Sequence, residues 1–377
     1  MLWGQKTTVE EIIIQIGNAY APDKRVILYE VEVADSSVSV VLKGKISDER
    51  VYEKIIRTIS DKNIEVIDSI QLLPESVFSE AYWGVAPLST VYVYREPTFS
   101  SEIVTQALLG TPIRFLDKKR GWNRIQTPDG YIGWVNITIQ NFSVEELNRY
   151  NRKNKVIVTD LKALIYKNPT EKSTLVMEVL MGNILTLESA KIRGKFTKVS
   201  FPDGKIGFIS SKSIQPLAER PENIQLTGES VLDTAQKFLG LPYFWGGTSV
   251  RGMDCSGLTK FVYFMHGLIL PRDASQQYLM GDEVDISDGL SRLQKGDLLF
   301  FGTKSKSNPN KYNASHVAIY MGDSKFIHSS GQVRINSFNS ADANFDQYNF
   351  NRFIGARRVI GVVLDENYKL AENTWYR

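Results

Sequence analysis

"GGTSVRGMDCSGL", residues 246–258, holds the one cysteine of a 377-residue chain. A lone thiol has a bland explanation, because free cysteine is among the most buried residue types. Its surroundings argue for more. Glycines crowd its approach, Asp254 and Ser256 flank it, and Leu258, Phe261, Val262 and Met265 follow at the i, i+3, i+4, i+7 spacing of a helix packed along one face. Cys255 then falls in the first turn of that helix and off its buried face. There the helix dipole and the unpaired backbone N–H groups are expected to stabilise a thiolate, lowering the thiol pKa, and to suit an oxyanion. Upstream, Glu229 to Leu239 reads as a helix stopped by Gly240, and "LPYFWGG" cannot be helical.

A thiol nucleophile needs a base, and the chain has three histidines. His266 ends the cysteine helix, about 16 Å from Cys255 at 1.5 Å per residue, so it reads as structural. His316 opens "HVAIYMG" and His328 lies in "KFIHSSG", two β-rich runs joined at Gly322-Asp323-Ser324. A hairpin there sets both imidazoles on adjacent strands, one to accept the cysteine proton and one to orient the first. Zinc is the competing use of Cys and His, but the spacing matches no compact metal motif and offers no fourth ligand. No metal or cofactor is expected.

The composition, 42% hydrophobic and 23% charged, is that of an ordinary globular protein. A net charge of +3 without a long basic run gives no sign of nucleic-acid binding. One cysteine allows no internal disulfide. The longest early apolar cluster, "EIIIQIG", is far short of the roughly 20 residues a membrane helix needs, so no transmembrane segment is expected. No cleavable signal pattern is visible. The expectation is a cytoplasmic protein, or a protein of the cell envelope or periplasm whose export signal has been removed.

Residues 26–42 read as two strands joined at Asp35-Ser36-Ser37, Val51, Ile55, Ile56 and Ile59 recur at helical spacing, and "IEVIDSI" reads as a strand. This is a small α+β unit. The middle of the chain repeats itself: "VYREPT" (93–98) returns as "IYKNPT" (165–170), "LLG" (108–110) as "LMG" (180–182) and "PDGYIGW" (128–134) as "PDGKIGF" (202–208). Each copy has short strands punctuated by Gly, Pro and Asp, suited to a small β-barrel, and resembles the bacterial SH3-like domains of cell-wall enzymes. Trp122 and Trp134 of the first copy read as barrel core, whereas Tyr131, beside a turn, suits either core or contact. In the second copy Lys205 and Phe208 replace Tyr131 and Trp134. "SVEELNRYNRK" (143–153) reads as a polar connecting helix and "PLAERPEN" (216–223) as a linker. The expected architecture is a multidomain α+β chain: a small N-terminal α+β domain (1–82), a first SH3-like barrel (83–142), a helical connector (143–154), a second SH3-like barrel (155–217) and a catalytic domain (218–377).

"MDCSGL", "KGDLLFFG", "SHVAIYMG" and "FIHSSG", in that order, resemble the NlpC-type papain-like cysteine peptidases of peptidoglycan, over essentially all of residues 224–360. With two preceding SH3-like domains, the chain is most similar to the γ-D-glutamyl-L-diamino acid endopeptidases of murein peptide recycling (dipeptidyl-peptidase VI type). The resemblance implies Cys255 as nucleophile, His316 as general base and His328 as the residue that orients it. It implies Tyr243 beside the oxyanion and Trp245 as a cleft wall. Asp254, Ser256 and Asp273 of "PRDASQQ" would grip a free L-Ala amine and the D-Glu α-carboxylate, with Tyr131 lining the cleft and Glu102 as its acidic partner. Asp254 and Asp273 also suit helix N-caps. At Ala274 the stretch departs from the resemblance, which leads one to expect a hydroxyl.

The implied ligands are murein peptides of the form L-Ala-γ-D-Glu-diamino acid, the diamino acid being meso-diaminopimelate or L-Lys, handled by a monomer. Two alternatives stand beside this reading: a cell-wall amidase or acyltransferase of the same fold, and a catalytically inactive wall-peptide binding protein.

Overall fold

A computed structural model describes residues 2–34, 39–217, 226–305 and 312–377. The chain opens with a helix for which the sequence reading holds no expectation, α1 (Leu2–Tyr20). Val9, Ile12, Ile13 and Ile16 recur on one face and are buried, so the "EIIIQIG" run is a core helix. It covers a three-stranded sheet of β1 (Tyr29–Ala34), β2 (Val40–Ile46) and β3 (Val66–Leu72). β1 and β2 pair antiparallel, as the expected hairpin requires, though its turn at Asp35-Ser36-Ser37 lies outside the described residues. β2 and β3 run parallel, joined through α2 (Glu49–Ser60). That helix is capped by Asp48, whose side chain accepts from the N–H groups of Arg50 and Val51, and it buries Val51, Ile55 and Ile59.

The first barrel comprises β4 (Trp83–Val85), β5 (Thr90–Tyr94), β6 (Ile103–Leu108), β7 (Pro112–Lys119), β8 (Trp122–Gln126) and β9 (Ile132–Val135). The second comprises β10 (Lys155–Val158), β11 (Lys162–Tyr166), β12 (Leu175–Leu180), β13 (Ile184–Leu187), β14 (Phe196–Ser200), β15 (Ile206–Ser210) and β16 (Ile214–Pro216). The order β4-β7-β8-β9-β5-β6 in one reappears as β10-β13-β14-β15-β11-β12 in the other, with β16 added beside β10. The sequence repeat is thus a repeat of topology. Trp122 and Trp134 are buried, as expected of core residues. Between the barrels lies α3 (Val144–Asn151), closed by a Ser143–Glu146 capping box. It is less polar than its sequence suggests, because Leu147 and Tyr150 pack with Val85 and Phe142 of the first barrel.

The C-terminal unit begins with α4 (Gly228–Gln236), which stops short of the expected Leu239. Two short strands, β17 (Thr248–Ser249) and β18 (Gly252–Met253), precede α5 (Cys255–Phe264), and α6 (Ala274–Gln277) follows. An antiparallel sheet is then built from β19 (Asp282–Val284), β20 (Leu298–Lys304), β21 (Tyr312–Gly322), β22 (Lys325–Ser330), β23 (Gln332–Ser337) and, after α7 (Gln347–Phe350), β24 (Phe353–Arg358). Its order is β19-β24-β20-β21-β22-β23. α5 packs across β21 and β22, the two strands that carry His316 and His328.

Barrel and catalytic cores merge. Leu108 of the first barrel and Met181 and Ile184 of the second share a cluster with Phe261 of α5. The repeated "LLG" and "LMG" turns meet there: Ile184 N donates to Leu109 O at 2.8 Å. Among the described residues, no helix is long and apolar enough to cross a membrane.

Candidate active site

Cys255 starts α5, as expected, yet only 8% of it is exposed and it belongs to the hydrophobic core. The expectation that it sits off the buried face is therefore corrected, and so is the direction of its pKa. Burial, reinforced by the neighbouring Asp254 carboxylate, pushes the thiol up to about 12. The backbone N–H groups of Val317 and Ser256 and the Arg272 guanidinium pull the other way and lose. The helix start does favour a thiolate; desolvation outweighs it.

The glycine-rich approach has two purposes. At Gly246, with φ +77°, a Cβ would stand 2.1 Å from Ile103 O of the first barrel, so only glycine lets the loop and barrel touch. At Gly257 a Cβ would stand 1.9 Å from Gly247 O, so the approach loop folds directly onto α5. Thr248 adds an N–H bond to Gln106 Oε1 at 2.9 Å, fastening the same loop to β6.

Asp254 caps α5 through Gly257 N at 2.7 Å and also accepts from Gly246 N at 2.9 Å. Arg272, 1% exposed, engages both of its oxygens, at 3.1 and 2.5 Å, and donates to Ser256 Oγ at 3.0 Å. Both Asp254 oxygens are thereby engaged within the protein. Arg272 escaped the sequence reading although it adjoins Asp273 in "PRDASQQ"; an arginine between a proline and an aspartate does not announce burial. Gln277, also fully buried, ties α6 to α5 through Thr259 Oγ1 at 2.7 Å and Ser256 O at 3.1 Å.

The hairpin of β21 and β22 brings the two histidines together: His316 Nε2 lies 2.8 Å from His328 Nδ1. Because Val317 N–H faces the Cys255 sulfur, His316 is one residue from the thiol's backbone contact. Ser329 Oγ donates to Met253 O at 2.6 Å, fixing the His328 strand against the cysteine loop. A further relay lies behind: His328 Nε2 stands 3.3 Å from Asn336 Oδ1, and Asn336 Nδ2 donates to Asp346 Oδ2 at 3.2 Å. Asp346 is held by Asn349 N at 3.0 Å and Asn349 Nδ2 at 2.7 Å. Burial carries His316 down to about 3, with His328, Arg352 and Arg334 adding to it. It carries His328 down to about 4 against the opposing pull of Asn336 and Asp346.

The tautomers follow from these partners. A carboxylate only accepts, so Asn336 gives its NH2 to Asp346 and presents Oδ1 to His328. His328 must then carry its proton on Nε2 and accept on Nδ1, so His316 donates from Nε2. In the neutral His316 ring, Nδ1 is then left without a proton. Asn336 and Asp346 were invisible in the sequence, because nothing local distinguishes a strand asparagine and a helix-cap aspartate from the other polar residues that follow the hairpin.

Cys255 and His316 line a cleft of about 320 Å³ with Tyr243, Trp245, Ser256, Asp273, Tyr131 and Glu102. All of the expected site residues except His328, which stands behind His316, thus meet in or at the wall of one cavity. Tyr243 is raised in pKa by burial and by the nearby Cys255 and Asp254. Trp245, 61% exposed, forms the rim, and its Nε1 donates to Glu102 Oε2 at 3.0 Å. Glu102 is also ion-paired with Arg95. Tyr131 is core and contact at once: 4% exposed, it donates from its hydroxyl to Asp273 Oδ2 at 3.1 Å. Asp273 stands at the cap of α6, as its sequence allows, in a capping box with Gln276, whose Oε1 accepts from Asp273 N at 2.9 Å. His266 is held by Thr234 Oγ1 at 2.9 Å on the far end of α5, consistent with a structural residue.

A buried thiol at a helix start, a paired imidazole base and an orienting second histidine, set between a helix and an antiparallel sheet, define a papain-like cysteine peptidase. Residues 240–353 match the NlpC/P60 family, and residues 93–138 match the bacterial dipeptidyl-peptidase SH3 domain. The gamma-D-glutamyl-L-lysine dipeptidyl-peptidase of Bacillus cereus is 33% identical over 271 residues, covering 70% of this chain and 77% of the relative. Dipeptidyl-peptidase 6 of Lysinibacillus sphaericus is 29% identical over 253 residues, covering 65% and 88%. The crystal structure of an NlpC/P60 family protein from Bacillus cereus superposes with a TM-score of 0.61 at 27% identity, over 74% of this chain and 99% of that one. The chain belongs to the NlpC/P60 family.

Proposed function

We propose that the protein is a γ-D-glutamyl-L-diamino acid endopeptidase that removes L-Ala-D-Glu from murein peptides bearing a free N-terminal L-Ala, in peptidoglycan turnover or recycling. The observation that carries this reading is the cleft itself, about 320 Å³, in which Cys255 and His316 are joined by Tyr131 of the first barrel, bonded to Asp273. A cavity of that volume, walled in part by the barrel, suits a short peptide segment. The relatives' names, dipeptidyl-peptidases, point the same way.

The chemistry begins from a neutral pair. His316 Nδ1 takes the thiol proton as sulfur attacks the γ-carbonyl of D-Glu, so charge appears only as the C–S bond forms. The Cys255 N–H, which as the first residue of α5 has no intrahelical acceptor, and the Tyr243 hydroxyl are the donors for the oxyanion. His316 then gives its proton to the departing amine, leaving a thioester, and activates the water that hydrolyses it. His328 holds the ring and carries no net charge of its own.

The test is mass-spectrometric turnover of L-Ala-γ-D-Glu-meso-diaminopimelate and its L-Lys counterpart by wild type and by Cys255→Ala. Release of L-Ala-D-Glu by wild type alone is expected. Absence of that product with either peptide would discard the peptidase reading and favour an amidase or a binding protein.

A further inference from the structure

Arg25 lies in the segment between α1 and β1, remote in sequence from every motif of the site, yet it lines the cleft. Its Nη1 donates to Asp273 Oδ2 at 2.7 Å and to Ser275 Oγ at 3.0 Å. The guanidinium is held in place from behind by Asp23, through Nε to Oδ1 at 2.8 Å and Nη2 to Oδ2 at 2.7 Å. Asp23 in turn accepts from Gln276 Nε2 at 2.8 Å. The Arg25 backbone is fixed as well, its carbonyl accepting from Ile132 N of β9 at 2.7 Å. Three parts of the fold therefore converge on one side chain: the N-terminal unit, the first barrel and α6.

The consequence is electrostatic. Each carboxylate among the described lining residues faces a guanidinium: Glu102 with Arg95, Asp254 with Arg272 and Asp273 with Arg25. Arg25 is shared between Asp23 and Asp273, so this part of the cleft keeps one net negative charge, but Asp273 Oδ2 is already engaged by Arg25 and by the Tyr131 hydroxyl. An incoming ammonium must share the Asp273 carboxylate with a cation already bonded to it, whereas an uncharged, N-acylated terminus leaves no carboxylate unpaired.

We infer that Arg25 is a specificity-determining residue, supplied by the N-terminal domain, that weakens the cleft's preference for a free N-terminal amine by holding Asp273 in the ammonium's place. This rests on the proposed reading of the cleft as the site for the N-terminal end of a murein peptide. With Arg25 removed, Asp273 loses its guanidinium partner and keeps the Tyr131 hydroxyl on Oδ2. A free ammonium then gains a charge-assisted bond, while an acylated peptide buries an unpaired carboxylate.

The experiment is calorimetric binding of L-Ala-γ-D-Glu-meso-diaminopimelate and its N-acetylated form to Cys255→Ala and to Cys255→Ala/Arg25→Ala, so that no turnover is needed. Removing Arg25 is expected to raise the affinity ratio, free over acetylated, by about ten-fold, the worth of one charge-assisted hydrogen bond. Arg25→Lys in the same background should restore most of the original ratio, which a merely misfolded variant would not permit. A change in ratio of less than about three-fold on Arg25→Ala overturns the inference alone. Failure of both peptides to bind any variant overturns the reading of the cleft, and the inference with it.

Discussion

Cys255 is subject to two placements that act on its thiol in opposite directions. The start of α5 offers N–H groups and a dipole, while the surrounding core, the Val317 strand and the docked barrel exclude water. Desolvation wins, so the peptide-free protein holds a neutral thiol, pushed up to about 12, beside an imidazole depressed to about 3. Neither group is ionised near neutrality. Alkylation of the free protein by iodoacetamide should accordingly accelerate about ten-fold per pH unit from about pH 6 to about pH 9, following the thiolate fraction. A rate that levels off near neutral pH would instead reveal a preformed thiolate–imidazolium pair. Cys255, His316 and His328 were legible in the sequence because a helix start and a hairpin are local patterns. The thiol's environment was not, since burial depends on what packs over the helix end.

At the scale of elements, β21, β22 and β23 form a ladder on which His316, His328 and Asn336 line up, and α7 supplies Asp346 at its cap. The hairpin was readable from Gly322-Asp323-Ser324; the third strand's contribution required the register, in which Phe326 faces Asn336 and His328 faces Arg334. Asn336→Leu should leave the His328 Nε2–H without an acceptor and unlock the tautomer chain. The expected result is a kcat lowered by about ten-fold or more with KM changed less than about two-fold, because the relay touches no substrate. An unchanged kcat would reduce Asn336 to a packing residue. The barrels show the same division. Their equal strand order follows the repeat visible in the sequence, but the meeting of the "LLG" and "LMG" turns against Phe261 does not.

At the scale of the molecule, the first barrel is tied to the catalytic helix by a buried ion pair. Asp129 of "PDGYIGW" lies 2.9 Å from Lys260 of α5, whereas its counterpart Asp203 pairs with Lys205 at the surface. Lys260→Met should cost about 3–5 kcal/mol by leaving the Asp129 carboxylate buried and alone, seen as a lowered urea midpoint. Adding Asp129→Asn should recover more than half of that loss; equal loss in the double variant would mean the lysine stem, not the charge, holds the barrel. The N-terminal domain is docked by other means, with Leu28 and Leu73 packed on Leu116 and Ile132 and with Lys45 bridging Glu75 and Asp117. That docking is what delivers Arg25 to the cleft. The sequence by itself determined the multidomain order, the repeated barrels and the local settings of Cys255, His316 and His328, since each is written in short motifs and periodicities and in their recurrence along the chain. Only the tertiary structure decided the buried, neutral state of the thiol, the Asn336–Asp346 relay, the saturation of Asp254 by Arg272 and the reach of Arg25 to Asp273. Those depend on desolvation and on charges brought together from segments up to 248 residues apart, and no local pattern encodes which distant side chain will fill a given neighbour's shell.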